Sequence, residues 1–525
     1  MSTSPPTAEA PAAAARIHPA ELALLASVFV VAACGLVYEL AAGALASYLL
    51  GDSVLQFSTI IGSYLFAMGI GSWLSKYIQH QLVAQFLRIE LLVAFIGGLM
   101  PALLFTAHSS LPASAELPFR VMLYGLVGVI GILAGLEIPL VMRILKAHFS
   151  QRYRLSELVS QVLTFDYLGA LLVAVAFPLL LVPHLGLIRT GVFFGLLNVL
   201  VAIWALWLFR AELRAWRSLA WACAICLALL LGAMFQAETL STWAEDRFYG
   251  DHIVLRESSD YQRVVVTDSR AGTRLFLNGN LQFHSRDEYR YHESLVHPAM
   301  AAHGGPKRVL VLGGGDGMAV REVLRYPSVE QVTLVELDPH MTRLFATLPL
   351  LTRLNGGALK SDKLKIVNTD AFGWLEQSKD VFDVIVIDFP DPSNFALGKL
   401  YTTSFYQLVD QHLSAGGFAV VQSTSPLVAR RSFWTVVNTI EAVGLSTTPY
   451  HAHVPSFGEW GFVLASRRPW SPPRQLPDGL RFLSVEGLPA MTQFPPDMAR
   501  LPTQVNRLSN QVLVQEFEAE WGKLH

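Results

Sequence analysis

Five acidic side chains fall where chemistry on a bound ligand would need them. The stretch "VLGGGDGMAVREVL", beginning at Val311, sets Asp316 among Gly313, Gly314, Gly315 and Gly317. Glu336 follows 21 residues after Gly315, Asp370 and Ala371 close a third apolar run, and Asp388 and Asp391 share "IDFPDPSN". Glycines let a chain turn tightly and bring its backbone amides against a ligand. An acid about 20 residues past such a loop is placed to hydrogen-bond a ribose diol. Loop and acid together predict an adenosine-type ligand. Asp370 suits an adenine amino group, or equally a helix N-cap. Asp388 and Asp391 suit a cation, either Mg²⁺ or an organic amine, or else an Asx-turn. Asp316 would repel a ligand tail that bears a carboxylate and attract one that bears only an ammonium. Two opposite charges about 4 Å apart gain a few kcal/mol at an effective dielectric near 20, before desolvation costs.

The elements that must hold these acids follow from apolar patterning. Buried strands are expected at 308–312, 331–337, 364–368, 382–388 and 418–423, with helical stretches between them. Such alternation predicts a doubly wound, Rossmann-like α/β sheet of the methyltransferase type, with ligands at the carboxyl ends of its strands. We place this domain at 291–525. Ahead of it, "HIVLRESSDYQRVVVTDSRAGTRLFLNGNLQF" alternates apolar and polar residues with turn signals at "AG" and "NGN". It predicts a small antiparallel β-subdomain within 245–290.

The first half of the chain has a different texture. Of 525 residues, 52% are hydrophobic and 15% charged, against about 25% charged in soluble domains. The deficit sits in residues 21–236, which predict a transmembrane helical bundle of about seven spans, at 21–48, 54–78, 83–107, 119–145, 160–184, 188–209 and 217–236. Small residues in "GVIGILAG" (128–135) are spaced for helix packing. Glu39, Glu137 and Asp166 lie in or near these apolar segments, where acids are costly and mark either interhelical hydrogen bonds or a pathway. Residues 1–20, rich in Ala, Pro and Ser, are expected to be a disordered tail. Cys34, Cys223 and Cys226 fall in apolar runs and read as small hydrophobes. The net charge of −2 gives no sign of nucleic-acid binding.

Basic residues crowd alternate loops: Lys76 and Arg88, then Arg143, Lys146, Arg152 and Arg154, then Arg210, Arg214 and Arg217. Positive loops face the cytoplasm, so seven spans would put the second half outside.

Several motifs fall in one order along the second half: "YQR" (261–263), "LNGNLQFHSRDEYRYHESLVHP" (277–298), "GGGDG" (313–317), "REVLRYPSVEQVTLVELDP" (321–339), "DAF" (370–372), "DFPDP" (388–392), "LYTTSFY" (400–406) and "QSTSP" (422–426). In these the sequence resembles the spermidine synthase, or polyamine aminopropyltransferase, family over about 250–465. "GLVYEL" (35–40) and "GLEIPL" (135–140) look like its membrane-spanning branch. The resemblance implies transfer of an aminopropyl group from decarboxylated S-adenosylmethionine, a co-substrate, to a diamine, usually putrescine. It implies no metal and no prosthetic group. By motif, Gln262, Gly313, Gly315, Asp316, Glu336, Asp370 and Ala371 would bind the donor. Tyr291, His292 and Asp391 would bind the acceptor, and Asp388 would take the proton. A homodimer in the cell membrane, with its catalytic half facing the cytoplasm where the donor is made, is implied too, against the loop charges. The sequence departs from the soluble members at Val454 in "HVPSFGEWGF" (453–462), where an aromatic residue is common; Tyr450 or Trp460 could supply that wall. A methyltransferase of similar fold, and a polyamine transporter or sensor with a non-catalytic nucleotide fold, are the alternatives.

Overall fold

The computed structural model describes residues 19–50, 53–111, 116–149, 155–259 and 261–522. The chain divides into two compact units, one up to Phe248 and one from Tyr249 onward. Most of the expected tail, 1–20, lies outside the described residues, as do Arg152 and Arg154; Pro19 and Ala20 begin the first helix.

The first unit is helical: α1 (Pro19–Leu50), α2 (Ser53–Leu74), α3 (Leu82–Ser110), α4 (Glu116–Phe149), α5 (Leu155–Ala176), α6 (Val182–Phe209) and α7 (Trp216–Tyr249). Six stretches among the described residues are long and apolar enough to cross a bilayer. Two of the expected seven spans, 160–184 and 188–209, run together in one stretch of 54 residues, Ser156–Phe209. A turn of π-helix, Phe177–Leu181, joins α5 to α6, and Gly186 leaves helical geometry with φ 73° and ψ 169°. Gly186 adopts that left-handed φ without the Cβ clash other residues would meet.

Glycines set how closely these helices approach. A Cβ on Gly71 of α2 would run into the Ile132 carbonyl of α4, and one on Gly135 into the Met68 backbone. Gly98 of α3 lies against Gly191 and Gly195 of α6, and Gly169 of α5 against Phe29 of α1. Gly62, Gly69, Gly125 and Gly128 have nothing within 4 Å of such a Cβ. Within "GVIGILAG", then, Gly131 and Gly135 pack and Gly128 faces outward. Cys34, Cys223 and Cys226 are free and buried.

The second unit opens with a four-stranded antiparallel sheet, β1 (Ile253–Ser258), β2 (Arg263–Ser269), β3 (Gly272–Leu277) and β4 (Asn280–His284), in that order. Asn278 and Gly279 turn β3 into β4 with φ of 50° and 86°, the positive pair that a two-residue hairpin needs. Next come α8 (Glu288–His303), β5 (Arg308–Gly313), α9 (Met318–Val323), β6 (Gln331–Glu336), α10 (Pro339–Thr347), β7 (Leu364–Asn368), β8 (Phe382–Asp388), β9 (Leu413–Gln422), β10 (Ser446–Val454) and β11 (Gly458–Ser466).

Strands β5 to β11 form one sheet in the order β10-β11-β9-β8-β5-β6-β7. The five strands from β9 to β7 run parallel; β11 is antiparallel to both its neighbours. Val309, Leu310, Val311 and Leu312 are fully buried, as are Val384 to Ile387 beside them, as strands covered on both faces require. Chain order reverses between β5 and β8, where a doubly wound sheet opens a crevice. There Gly313 stands directly opposite Asp388. The stretch 453–462, which contains Val454, forms the hairpin that joins β10 to β11.

The glycine contacts predict a contrast between two alanine variants. Gly135→Ala should lower the stability of the solubilised protein by about 1–3 kcal/mol, the usual cost of overpacking. Gly128→Ala should leave it unchanged or slightly raised. Thermal unfolding in one detergent, followed by tryptophan fluorescence, compares them.

Candidate active site

The loop after β5 is held by its glycines. Gly313, Gly314 and Gly317 have φ of 79°, 68° and 76°, a region where other residues are strained. A Cβ on Gly313 would strike the Asp388 carbonyl, and one on Gly314 would lie 3.0 Å from Asp388 Oδ2. One on Gly315 would lie 2.8 Å from the Glu336 carboxylate. The loop is thus pressed between the ends of β8 and β6, and both neighbours end in an acid.

Each acid is tied down. Asp316 Oδ1 accepts from Met318 N (2.9 Å), the first amide of α9, while its carbonyl accepts from Asn355 Nδ2 (2.8 Å). Glu336 accepts from Gly315 N through Oε2 (3.0 Å) and from Asp338 N through Oε1 (2.9 Å). Asp388 Oδ1 accepts from the Tyr291 hydroxyl (2.6 Å). Gln422 Nε2 donates to Asp391 Oδ1 (3.4 Å), to the Tyr401 hydroxyl (3.1 Å) and to the Phe389 carbonyl.

α8 supplies the opposing wall. Tyr291 packs its ring against Phe457 and Phe462 of the β10–β11 hairpin. Next to it, His292 is 2% exposed, and its Nδ1 lies 2.7 Å from Glu288 Oε2. Arg321 of α9 donates to both Glu288 oxygens (3.1 and 2.9 Å). Burial alone would push His292 down, but Glu288 beside it, with Asp316 and Asp388 in range, raises it to about 9. It is therefore an imidazolium at neutral pH.

The carboxyls move upward. Loss of surrounding water raises Asp388 to about 6, against the nearby His292 charge and the Tyr291 hydrogen bond, with Asp316 pushing it further up. Desolvation raises Asp391 to about 7 despite hydrogen bonds from Gln422 and Thr424, and Glu336 to about 7 despite two backbone amides. Asp316 is raised for the same reason, opposed first by His292. The crevice has more negative groups than its one imidazolium balances, so it favours positive ligands.

Most of the expected site residues meet here: Gly313, Gly315, Asp316, Glu336, Asp388, Tyr291 and His292 line one crevice. Gln262 joins indirectly, donating to Asp338 Oδ2 (2.9 Å). Asp370 lies two residues past Asn368, the register partner of Glu336. It caps the helix Ala371–Gln377 through Gly373 N (3.0 Å) and pairs with Lys399 Nζ (2.9 Å). Ala371 is buried behind it. Tyr450 is a core residue rather than a wall, its hydroxyl donating to the Ser294 carbonyl (2.8 Å) and its ring stacked on Phe462. Trp460 donates to Gln422 Oε1 (3.1 Å), so it braces the residue that holds Asp391. Val454 is wholly buried.

Sequence reasoning passed over Glu288, Asp338, Gln422 and Thr424. Glu288 precedes His292 by one helical turn, a spacing that pairs side chains. Asp338 before Pro339 is the signature of a helix N-cap. Thr424 carried no such signal. It is 1% exposed with φ 41°, unusual for a β-branched residue, and Trp521 donates to its Oγ1 (3.1 Å).

With this geometry in hand, comparison with known proteins is decisive. The Spermine/spermidine synthase domain model matches residues 288–471. "Polyamine aminopropyltransferase 2" of Ralstonia nicotianae is 53% identical over 95% of this chain and 98% of its own. This chain belongs to the polyamine aminopropyltransferase family. A second aminopropyltransferase of that organism is 52% identical over 99% of each chain, and one from Leptospira interrogans 49% over 96% and 99%. Both matches run through the helical unit as well as the α/β unit. A crystal structure of spermidine synthase with the transition-state analogue AdoDATO aligns at TM-score 0.44 and 28% identity, over 46% of this chain and 85% of that one. The aminopropyltransferase relatives set the methyltransferase alternative aside. As in the family, the enzyme is a transferase that takes its aminopropyl group from decarboxylated S-adenosylmethionine.

The raised groups predict how the aminopropyltransferase responds to pH. A group whose pKa is higher folded than unfolded gives stability below its unfolded value and loses it as pH rises through its folded value. Asp388, Asp391 and Glu336 lose theirs through about 6 to 7, and His292 through about 9. Glu322, lowered to about 2, acts in the opposite sense well below that window. Ligand-free protein should therefore be more stable at pH 5.5 than at pH 8, by on the order of a few kcal/mol. Melting curves across that range check it, and a cationic ligand should shrink the difference.

Proposed function

We propose that this enzyme transfers the aminopropyl group to putrescine, giving spermidine and methylthioadenosine. The observation that carries the reading is the Tyr291–Asp388 pair, set between the glycine loop and Asp391 within electrostatic range of Asp316. The acceptor amine attacks the methylene next to the sulfonium. Its nitrogen forms a new C–N bond as the C–S bond breaks, and the sulfur leaves as the thioether of methylthioadenosine. The diamine arrives protonated, so one ammonium must first give up its proton.

Asp388 takes that proton or passes it to water, and Tyr291 orients the carboxylate. A carboxyl at about 6 is a better match to an amine than one near 4, yet still a weak base. Positioning and desolvation of the amine supply the remainder. Asp316 binds the donor's ammonium. Glu336 takes the ribose, with Gln262 acting on the donor side through Asp338. Asp370 and Ala371 border the adenine, and Asp391, with His292 nearby, holds the distal end of the diamine. Where the acceptor's amine meets His292, the imidazolium must yield its proton or the ammonium must lie nearer the acids.

The helical unit, on the same reading, sits in the cell membrane. A straight helix of 54 residues would be about 80 Å long at 1.5 Å per residue, against roughly 30 Å of hydrocarbon. Ser156–Phe209 therefore crosses twice, turning near Gly186, which restores seven spans. The donor is made in the cytosol, so we assign the catalytic unit to that side, although the basic loops favour the other. Reporter fusions after residue 249 decide between the two, and light scattering of the solubilised protein checks the homodimer.

Purified enzyme supplied with decarboxylated S-adenosylmethionine and a series of di- and triamines should turn over putrescine fastest. A different preferred amine would change the acceptor and leave the reaction intact. Asp388→Asn should lower turnover at least 100-fold while methylthioadenosine binding changes less than threefold. In the wild type, activity should fall as pH drops through about 6, where Asp388 takes up a proton. Asp316→Asn should weaken the decarboxylated donor at least tenfold more than it weakens methylthioadenosine, as titration calorimetry would show.

A further inference from the structure

A second group of polar side chains lies in the helical unit, outside the residues assigned to the transfer reaction. Glu90 of α3 is 0% exposed, and neither of its carboxylate oxygens has a hydrogen-bond partner. Asn198 of α6 is as deeply buried, with both amide atoms unpartnered. The same holds for the Tyr38 hydroxyl of α1 and for Glu137 Oε1 of α4. A buried polar group without a partner costs several kcal/mol, and a charged one more.

These groups converge. Tyr38 and Cys34 each lie within electrostatic range of both Glu90 and Glu137, and Glu137 lies in range of Glu90 and Asp166. Gly98 abuts Gly191 and Gly195, and Gly195 abuts Ala94, so α3 and α6 run antiparallel. One turn onward, Glu90 and Asn198 come opposite each other. Tyr38 is pressed against Gly97 of α3, and the Tyr64 hydroxyl is fixed on the Gly35 carbonyl (3.0 Å). Both acids lie about 7–9 Å from the middle of their apolar stretches.

We propose that this cluster is a binding site for a primary ammonium group, the end of a polyamine, held between Glu90 and Glu137 with Tyr38 and Asn198 completing it. An ammonium has three donors and no acceptor, and the unpartnered atoms are oxygens apart from Asn198 Nδ2. No group of three or more His, Cys, Asp and Glu side chains fit to hold a metal ion occurs among the described residues. Asp166, partly exposed and in range of Glu137, extends the negative charge toward the surface of the bundle. The site stands whether or not putrescine is the acceptor.

The test is equilibrium binding of radiolabelled putrescine and, separately, spermidine to the full chain in lipid nanodiscs with potassium as the only salt cation. One of the two amines should bind with two equivalents per chain, and which one does so tells substrate from product. Glu90→Gln combined with Glu137→Gln should remove one equivalent and keep initial turnover within about twofold; Asp391→Asn should remove or weaken the other. Should the double variant fail to fold, Tyr38→Phe, which deletes one oxygen, should weaken the second equivalent about tenfold with an unchanged melting temperature. A wild type that binds a single equivalent, lost in Asp391→Asn, overturns the proposal and leaves the catalytic reading standing. So does a second equivalent that survives Tyr38→Phe unchanged, or one that disappears when sodium replaces potassium.

Discussion

Carboxylates crowded at the carboxyl ends of adjacent parallel strands govern the α/β unit. Asp316, Glu336 and Asp388 converge on a loop four residues long, Asp391 follows on the next loop, and His292 is the cation in their midst. Charges of one sign, taken out of water, are stable together only when backbone amides, hydroxyls and a cation share the load. The surroundings meet that need piece by piece. Gly315 and Asp338 lend amides to Glu336, Tyr291 lends a hydroxyl to Asp388, and Glu288 keeps His292 charged. Behind Glu288 stands Arg321, and beyond it Glu322 and His297, so a network of charge runs inward from the crevice.

The glycine loop makes this crowding sterically possible. Gly313 pairs with Asp388 across the point where strand order reverses, and any side chain there would push the two strand ends apart. The constraint that shapes the glycine loop therefore also holds Asp388, the proposed proton acceptor, against it. Asp316 keeps its place because its own carboxylate accepts from the first amide of α9.

Much of this was legible in the sequence because it is local. Five parallel strands read out as apolar runs, and their terminal acids could be named before any coordinates. The unread parts depend on pairings distant along the chain. Gln262 meets Asp338 76 residues away, and Thr424 meets Trp521 97 residues away; spacing says nothing about either. β10 was missed because Pro449 interrupts its pattern, a residue tolerated there since β10 is the edge of the sheet. In the helical unit, by contrast, the break expected between 184 and 188 falls at Gly186. Glu90 drew no notice because Arg88 two residues before it suggests an interface, whereas the fold buries it among four helices.

The raised carboxyls of the crevice also make it a store of protons. Near neutral pH, groups at about 6 to 7 are only partly ionised. In the proposed donor site, a sulfonium and an ammonium settling among them would ionise those groups, and their protons would leave for bulk solvent. Donor binding is then an exchange of one kind of cation for another. Its measured heat includes the ionisation enthalpy of whichever buffer collects the protons, and its apparent affinity rises with pH across that range even where no bond to the donor has changed.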